Sequence, residues 1–255
     1  LLVTLTSCFD IYQDIKINED GSGVMTNKVD MSSIMSMMSQ MGGMGEEELK
    51  MDTVISFNSY TDTSAKLSAE EKALLKDAKL QMKASSEDGV FIIEMTTPFK
   101  KAEDIDKLKT LLEKQDFMGD AIGKMMDKGG EEKGDKAAEE EIMQDMDGGG
   151  TGSPKMGISE EYFTYVFKKG QIGRSLNTDK ISGLANDEMM QKMKEAMDQG
   201  MPPMRMVYTI TLPKPVKKAE GKNLVLSDDR KTITVENTMD ELFGDPSKFE
   251  FMVEY

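Results

Sequence analysis

Two segments of this chain alternate apolar and polar residues on either side of an acidic, glycine-bearing turn, and that pattern commits them to β-hairpins. Ile11, Gln13, Ile15 and Ile17 fall on one face of a strand, with Tyr12, Asp14 and Lys16 on the other. Asn18-Glu19-Asp20-Gly21-Ser22-Gly23 follows, with Asp-Gly and a second glycine where the backbone must reverse. Val24, Thr26, Val29 and Met31 mark the returning strand, with a slip of phase expected near Asn27. Residues 79–85 and 90–97 repeat the arrangement around Ser86-Glu87-Asp88-Gly89, and Pro98 is expected to end the second strand.

Further strands are expected at 51–59, 162–168, 171–176, 204–212, 231–236 and 248–255. Helices sit between them. Ser68-Ala69-Glu70-Glu71 is a capping box opening a short helix to about Asp77. Residues 101–115 carry Ile105, Leu108, Leu111 and Leu112 on one stripe. Asn186 is expected to cap a helix running to Gln199, with Gly200 and then Pro202-Pro203 beyond it. A single helical turn is expected at 240–243. Hairpins separated by single helices predict an α+β fold: an antiparallel sheet with a few helices packed on one face.

The composition changes over 117–157. Gly129-Gly130, Glu139-Glu140-Glu141 and Gly148-Gly149-Gly150 offer little to a core, so this stretch is expected to be a flexible acidic Gly/Met-rich linker. It interrupts the domain, leaving 8–116 as its N-terminal part and 158–255 as its C-terminal part. A short Met-bearing helix is expected within it at 137–146.

What the chain lacks narrows its chemistry. There is no histidine and no tryptophan, which excludes a Ser-His-Asp triad and a His-ligated zinc. A formal net charge of −15 repels phosphates, so nucleic acid is not an expected partner. No G-x-x-x-x-G-K-[ST] and no G-x-G-x-x-G between a strand and a helix is present. Among 47 acidic residues no pair stands out as an acid and base. No catalytic residue and no cofactor is assigned, and the chain is expected not to be an enzyme.

The sharpest motif is Leu5-Thr6-Ser7-Cys8, which follows Leu1-Leu2-Val3-Thr4 and contains the only cysteine. It resembles the bacterial lipobox, whose cysteine is lipidated. On that resemblance, 1–7 is the remnant of a lipoprotein signal peptide and Cys8 carries acyl chains such as palmitate. Each buried methylene contributes about 0.8 kcal/mol, so two or three chains anchor firmly. The expected location is the bacterial cell envelope, lipid-anchored to a membrane and facing the periplasm.

Two passages also resemble the LppM-type lipoprotein domain family. One is Asp14-Ile15-Lys16-Ile17-Asn18-Glu19-Asp20-Gly21-Ser22-Gly23; the other is Tyr208-Thr209-Ile210-Thr211-Leu212-Pro213-Lys214-Pro215-Val216, with Glu220-Gly221 and Thr232-Ile233-Thr234-Val235 after it. The resemblance covers the two ends of the domain. It departs at the closing strand, where the family often has tryptophan and this chain has Val235 or a neighbour. It implies a membrane-anchored α+β domain that handles a lipid or an envelope protein, and no catalytic residues.

Methionine is the second outlier, at 25 residues. One group lies on the helix after Asn186, where Met189, Met193 and Met197 recur every four residues and share a face. That face is expected to be core, or a ligand or partner surface. The other group, Met35, Met37, Met38, Met41 and Met44, is interrupted by serine and glycine. Three readings of it stay open: a biased loop without ligand, an adaptable partner surface, or a Cu(I) site of soft thioethers.

Overall fold

The computed structural model describes residues 10–33, 35–36, 50–63, 67–113, 162–199 and 204–255. In chain order the first part supplies β1 (Asp10–Ile17), β2 (Gly23–Asp30), β3 (Lys50–Ser56), α1 (Asn58–Thr63), α2 (Ala69–Leu75), β4 (Lys79–Ser85), β5 (Val90–Phe99) and α3 (Asp104–Glu113). The second supplies β6 (Phe163–Lys168), β7 (Gln171–Leu176), α4 (Thr178–Ile181), α5 (Glu188–Asp198) and β8 (Arg205–Thr211). It closes with β9 (Lys218–Gly221), β10 (Leu224–Leu226), β11 (Thr232–Thr238), α6 (Met239–Gly244) and β12 (Phe251–Glu254). The expected linker at 117–157 and its helix lie outside the described residues.

The strands form an eight-stranded sheet, β10-β11-β8-β1-β2-β5-β4-β3, and a four-stranded sheet, β6-β7-β12-β9. Every pairing is antiparallel except β1 with β8, which is parallel from Asp10↔Arg205 to Lys16↔Thr211. The fold is α+β as expected. The parallel contact was not legible, because no turn or spacing signal links residues so far apart. It joins β1 to β5 of the first part to β8, β10 and β11 of the second in one sheet.

The hairpins form where the turn chemistry allows. Gly21 takes φ 86°, a conformation that disfavours a side chain. Its amide donates to the Asn18 carbonyl at 3.0 Å, and Asp20 accepts from both the amide and hydroxyl of Ser22 at 3.0 and 2.6 Å. The β1–β2 ladder then runs unbroken from Ile17↔Gly23 to Asp10↔Asp30, so the expected slip near Asn27 is not there. Asn27 is an inward-facing polar residue between buried Met25 and Val29, accepting from the Gln13 amide at 2.6 Å. Its polarity on an apolar face mimicked a change of phase.

Pro98 does not end β5, which continues to Phe99. Pairing with β4 stops at Thr96, so beyond it that edge of β5 carries no ladder bond for a proline to forfeit. The strand expected at 51–59 stops at Ser56, and α1 follows, its first turn closed by Thr61, whose amide donates to Phe57 and hydroxyl to Asn58. The Ser68 capping box forms as expected, with both reciprocal bonds to Glu71. The cap of α5 is Asp187 rather than Asn186: its carboxylate accepts from the Met190 amide at 3.0 Å. The short strands β9 and β10 were not anticipated as strands.

One face of the large sheet builds the core. Ile15, Ile17, Met25, Leu80, Met95, Ile210 and Ile233 pack there against Leu75 of α2 and Ile105, Leu108 and Leu111 of α3. The four-stranded sheet joins the same cluster through Phe167, Ile172, Phe251 and Val253. A second, smaller cluster holds Tyr162, Phe163, Leu184, Met190, Met204, Met239, Leu242 and Phe249.

Gly23 is required by close approach. A Cβ there would run into the Lys16 carbonyl and the Phe99 ring. We expect Gly23→Ala to lose about 2 kcal/mol or more through overpacking. The urea midpoint should fall with an unchanged slope; an unchanged midpoint would mean that this approach does not exist.

Candidate functional site

The register decides what meets at the end of the sheet where β1 begins, here called the entry end. Asp10 lies beside Asp30 and Arg205, Arg205 beside Thr238, and Asp30 beside Ile92. β3 starts at this end, with Lys50 opposite Ser85. The chain therefore leaves the entry end after β2, through a helical turn in which the Met35 amide donates to the Met31 carbonyl at 3.1 Å, and resumes there at Lys50.

The second apolar cluster sits at the same end. Met204 precedes β8 and Met239 opens α6, and the Met239 amide donates to the Met204 carbonyl at 3.0 Å. Met190 of α5 is buried with them, while half-buried Met197 and Met206 pack on the edge. Asp187 secures α5 by capping it and by accepting from the Tyr162 hydroxyl at 2.8 Å. Both methionine groups seen in the sequence thus have described members at one end of one sheet.

Of the expected partner surface, Met197 packs partly inward; Met189 and Met193 lie on α5, but their side chains are outside the described residues. Among the described side chains of α5, Met190 is the buried one, one position off that stripe. Met204, Met206 and Met239 were missed as members because only the pairing of β1, β8 and β11 gathers them. Met35 is buried, at 5% exposure. Cys8, Met37, Met38, Met41 and Met44 lie outside the described residues.

On the opposite face of the sheet a polar cluster clasps the same end. Arg205 grips Asp10 with a fork, Nη2 at 3.0 Å and Nε at 3.3 Å, and Nη2 also donates to the Tyr12 hydroxyl at 2.8 Å. Tyr12 donates in turn to Asp10 at 2.9 Å, Glu236 lies 3.4 Å from Arg205, and the Lys28 ammonium sits 4.0 Å over the Tyr12 ring. The hydrogen bond to Asp10 holds the Arg205 guanidinium protonated well above its ordinary range. Burial, then the bond to Asp10, pushes the Tyr12 phenol up. With acid, guanidinium and phenol bonded to one another, this cluster locks β1 and β8 together.

Arg174 is the unusual interior residue. It is 8% exposed, yet among the described residues no carboxylate reaches it at ion-pair distance. Its Nε donates to the Phe249 carbonyl at 2.7 Å, and Nη2 reaches the Asn237 amide oxygen at 3.4 Å. Four rings box it: Phe163, Tyr208, Phe249 and Phe251, at 5.0 to 5.5 Å. Such contacts stabilise a desolvated cation by about 2 kcal/mol. A second buried cation, Lys109 at 4% exposure, lies 3.9 Å over Tyr165 and 5.4 Å over Tyr208.

Asn237 passes the Arg174 contact on to Glu241 at 3.4 Å. Glu241 also accepts from Lys248 at 2.8 Å and from the Thr238 amide at 3.1 Å. Burial opposes ionisation of Glu241, but the bonds from Lys248, the Thr238 amide and Asn237 outweigh it and hold the carboxyl below its ordinary range. The network ties β7, β11, α6 and the turn at Pro246–Phe249 into one unit.

Among the described residues no group of three or more His, Cys, Asp or Glu is placed to hold a metal ion, and no helix is long and apolar enough to cross a membrane. No protein-family model, curated protein or solved structure matches the chain.

Replacing Arg174 with Leu should cost about 2 to 3 kcal/mol, because the Phe249 carbonyl loses its donor and the rings lose their cation. A urea titration showing a neutral or stabilised Arg174→Leu would remove Arg174 from the joint. Ionised Glu241 stabilises the fold above the ordinary glutamate value of about 4.3, and that contribution is lost as pH falls through the lower folded value. The stability gap between wild type and Glu241→Gln should therefore be widest near neutral pH and shrink below about pH 4. A gap independent of pH would show that Glu241 is not depressed.

Proposed function

We propose that this chain is a bacterial envelope lipoprotein, held to a membrane by acyl chains on Cys8, whose α+β domain binds a lipid or an envelope protein and catalyses no reaction. The observation that carries the reading is Leu5-Thr6-Ser7-Cys8 with its unique cysteine. The start of β1 at Asp10 supports it. One residue, Phe9, separates that cysteine from the first residue of the central sheet, two chain steps that reach at most about 7 Å between Cα atoms. The passages that resemble LppM-type domains lie on adjacent strands: β1 pairs with β8, and β8 with β11. The proposed orientation is toward the periplasm.

The Cu(I) reading of Met35, Met37, Met38, Met41 and Met44 ranks below this. The Met35 side chain is buried within a hydrogen-bonded turn, which commits its thioether to packing.

The test is chemical. Expressed in a bacterium behind a complete lipoprotein leader, the protein should incorporate labelled palmitate, and mass spectrometry should find a diacylglyceryl thioether at an N-terminal Cys8. Cys8→Ala should lose the label and leave the membrane fraction, with its thermal midpoint unchanged. A free thiol in the wild type, with residues 1–7 still attached, would end the proposal.

A further inference from the structure

The entry end of the sheet gathers features that sequence order keeps apart. We propose that this end is the face that lies against the lipid bilayer, with Met31, Met197 and Met206 at the boundary between headgroups and acyl chains, so that the strands stand along the membrane normal. The inference rests on anchoring through Cys8 and adds to it an orientation and a contact surface.

Three observations argue for it. Chain geometry comes first. Asp10 is the first residue of β1 and lies two residues beyond Cys8, so the Cys8 Cα can lie no more than about 7 Å from that of Asp10, and its sulfur only one side chain further. The opposite end, with the turn at Gly21 and the loop at 227–230, is a full strand length away, about 20 to 25 Å for the residues of β1. A tether that short leaves the sheet little choice of which end meets the membrane.

The side chains come second. Met31, Met197 and Met206 are half-buried, and the last two edge a cluster that also holds Met190, Met204 and Met239. Unbranched thioethers repack at low cost against an irregular apolar surface. The bulk of a bilayer boundary is such a surface, whereas a fixed protein partner rewards shape-specific anchors.

Charge comes third. A body of net charge −15 is repelled by anionic lipid. Among the described side chains of α5, however, the exposed charged ones are Lys192 and Lys194 against Glu195 and Asp198, so these four add no net repulsion. The surface fits a zwitterionic headgroup layer, not a polybasic attachment to acidic lipid.

The experiment uses the full lipidated protein in phosphatidylcholine vesicles. The Cys8 sulfur is blocked as a thioether, so an introduced cysteine is unique. Met197→Cys and Glu87→Cys label the entry end, with Glu87 in the exposed turn between β4 and β5, so that its variant folds even if the Met197 variant does not. Asp20→Cys and Asp229→Cys label the opposite end. Each carries a bimane, quenched by phosphatidylcholine bearing a doxyl group high on its acyl chain. Entry-end labels should be quenched about twofold or more over the opposite-end labels. Equal quenching, or stronger quenching at Asp20 and Asp229, overturns the orientation. Mass spectrometry of the same sample separates the two failures: an unlipidated Cys8 removes the anchor and this inference together, whereas a lipidated Cys8 with the wrong quenching pattern removes only the inference.

Discussion

Seven consecutive residue pairs, from Asp10↔Arg205 to Lys16↔Thr211, hold the first strand of the domain against one that follows it by nearly two hundred residues. Without that parallel ladder the sheet separates into β2-β5-β4-β3 with β1 on one side and β10-β11-β8 on the other. Closing so long a loop carries an entropic cost that grows only slowly with length. The ladder is reinforced at both faces. Ile15 and Ile210 are buried on the inner side, and Asp10, Tyr12 and Arg205 interlock on the outer side. The fork between Arg205 and Asp10 is partly shielded, which raises it above the ordinary surface ion pair.

The small sheet is fastened to the large one by a different device. Arg174, on β7, enters the interior and meets rings from β6, β8, β12 and the turn before β12. A buried cation without a carboxylate at hand would be costly in a purely aliphatic core. Here the guanidinium has a carbonyl, an amide oxygen and four ring faces, and Glu241 lies one hydrogen-bonded step further on. The arrangement joins the main core, through Tyr208 and Phe251, to the satellite cluster, through Phe163 and Phe249.

Local signals were strong where one residue type decides the backbone. The turns at Gly21 and Gly89 both take positive φ, and each was legible from its Asp-Gly pair. The Ser68 box and the apolar stripe of α3 were legible for the same reason: their partners lie within four residues. The misreadings share a different cause. Asn27 looked like a break because its partner, Gln13, sits across a ladder, and Pro98 looked like a terminus because its neglected edge is defined by where β4 begins. Of the site, the periodic methionines of α5 could be picked out, but that Met190 is buried follows from a cap at Asp187 and from the hydrophobic surface it meets.

By itself the sequence determined the hairpins, the helix starts, the α+β class and the lipobox-like motif, since each depends on residues close along the chain. Tertiary structure alone decided that the first strand lies parallel to β8, that Arg174 is enclosed by aromatic rings, and that methionines from separate segments share the end where β1 begins. Those outcomes depend on register between distant strands. A one-residue slip would turn each side chain to the opposite face, and no local pattern records which distant neighbour makes the chosen register the favourable one.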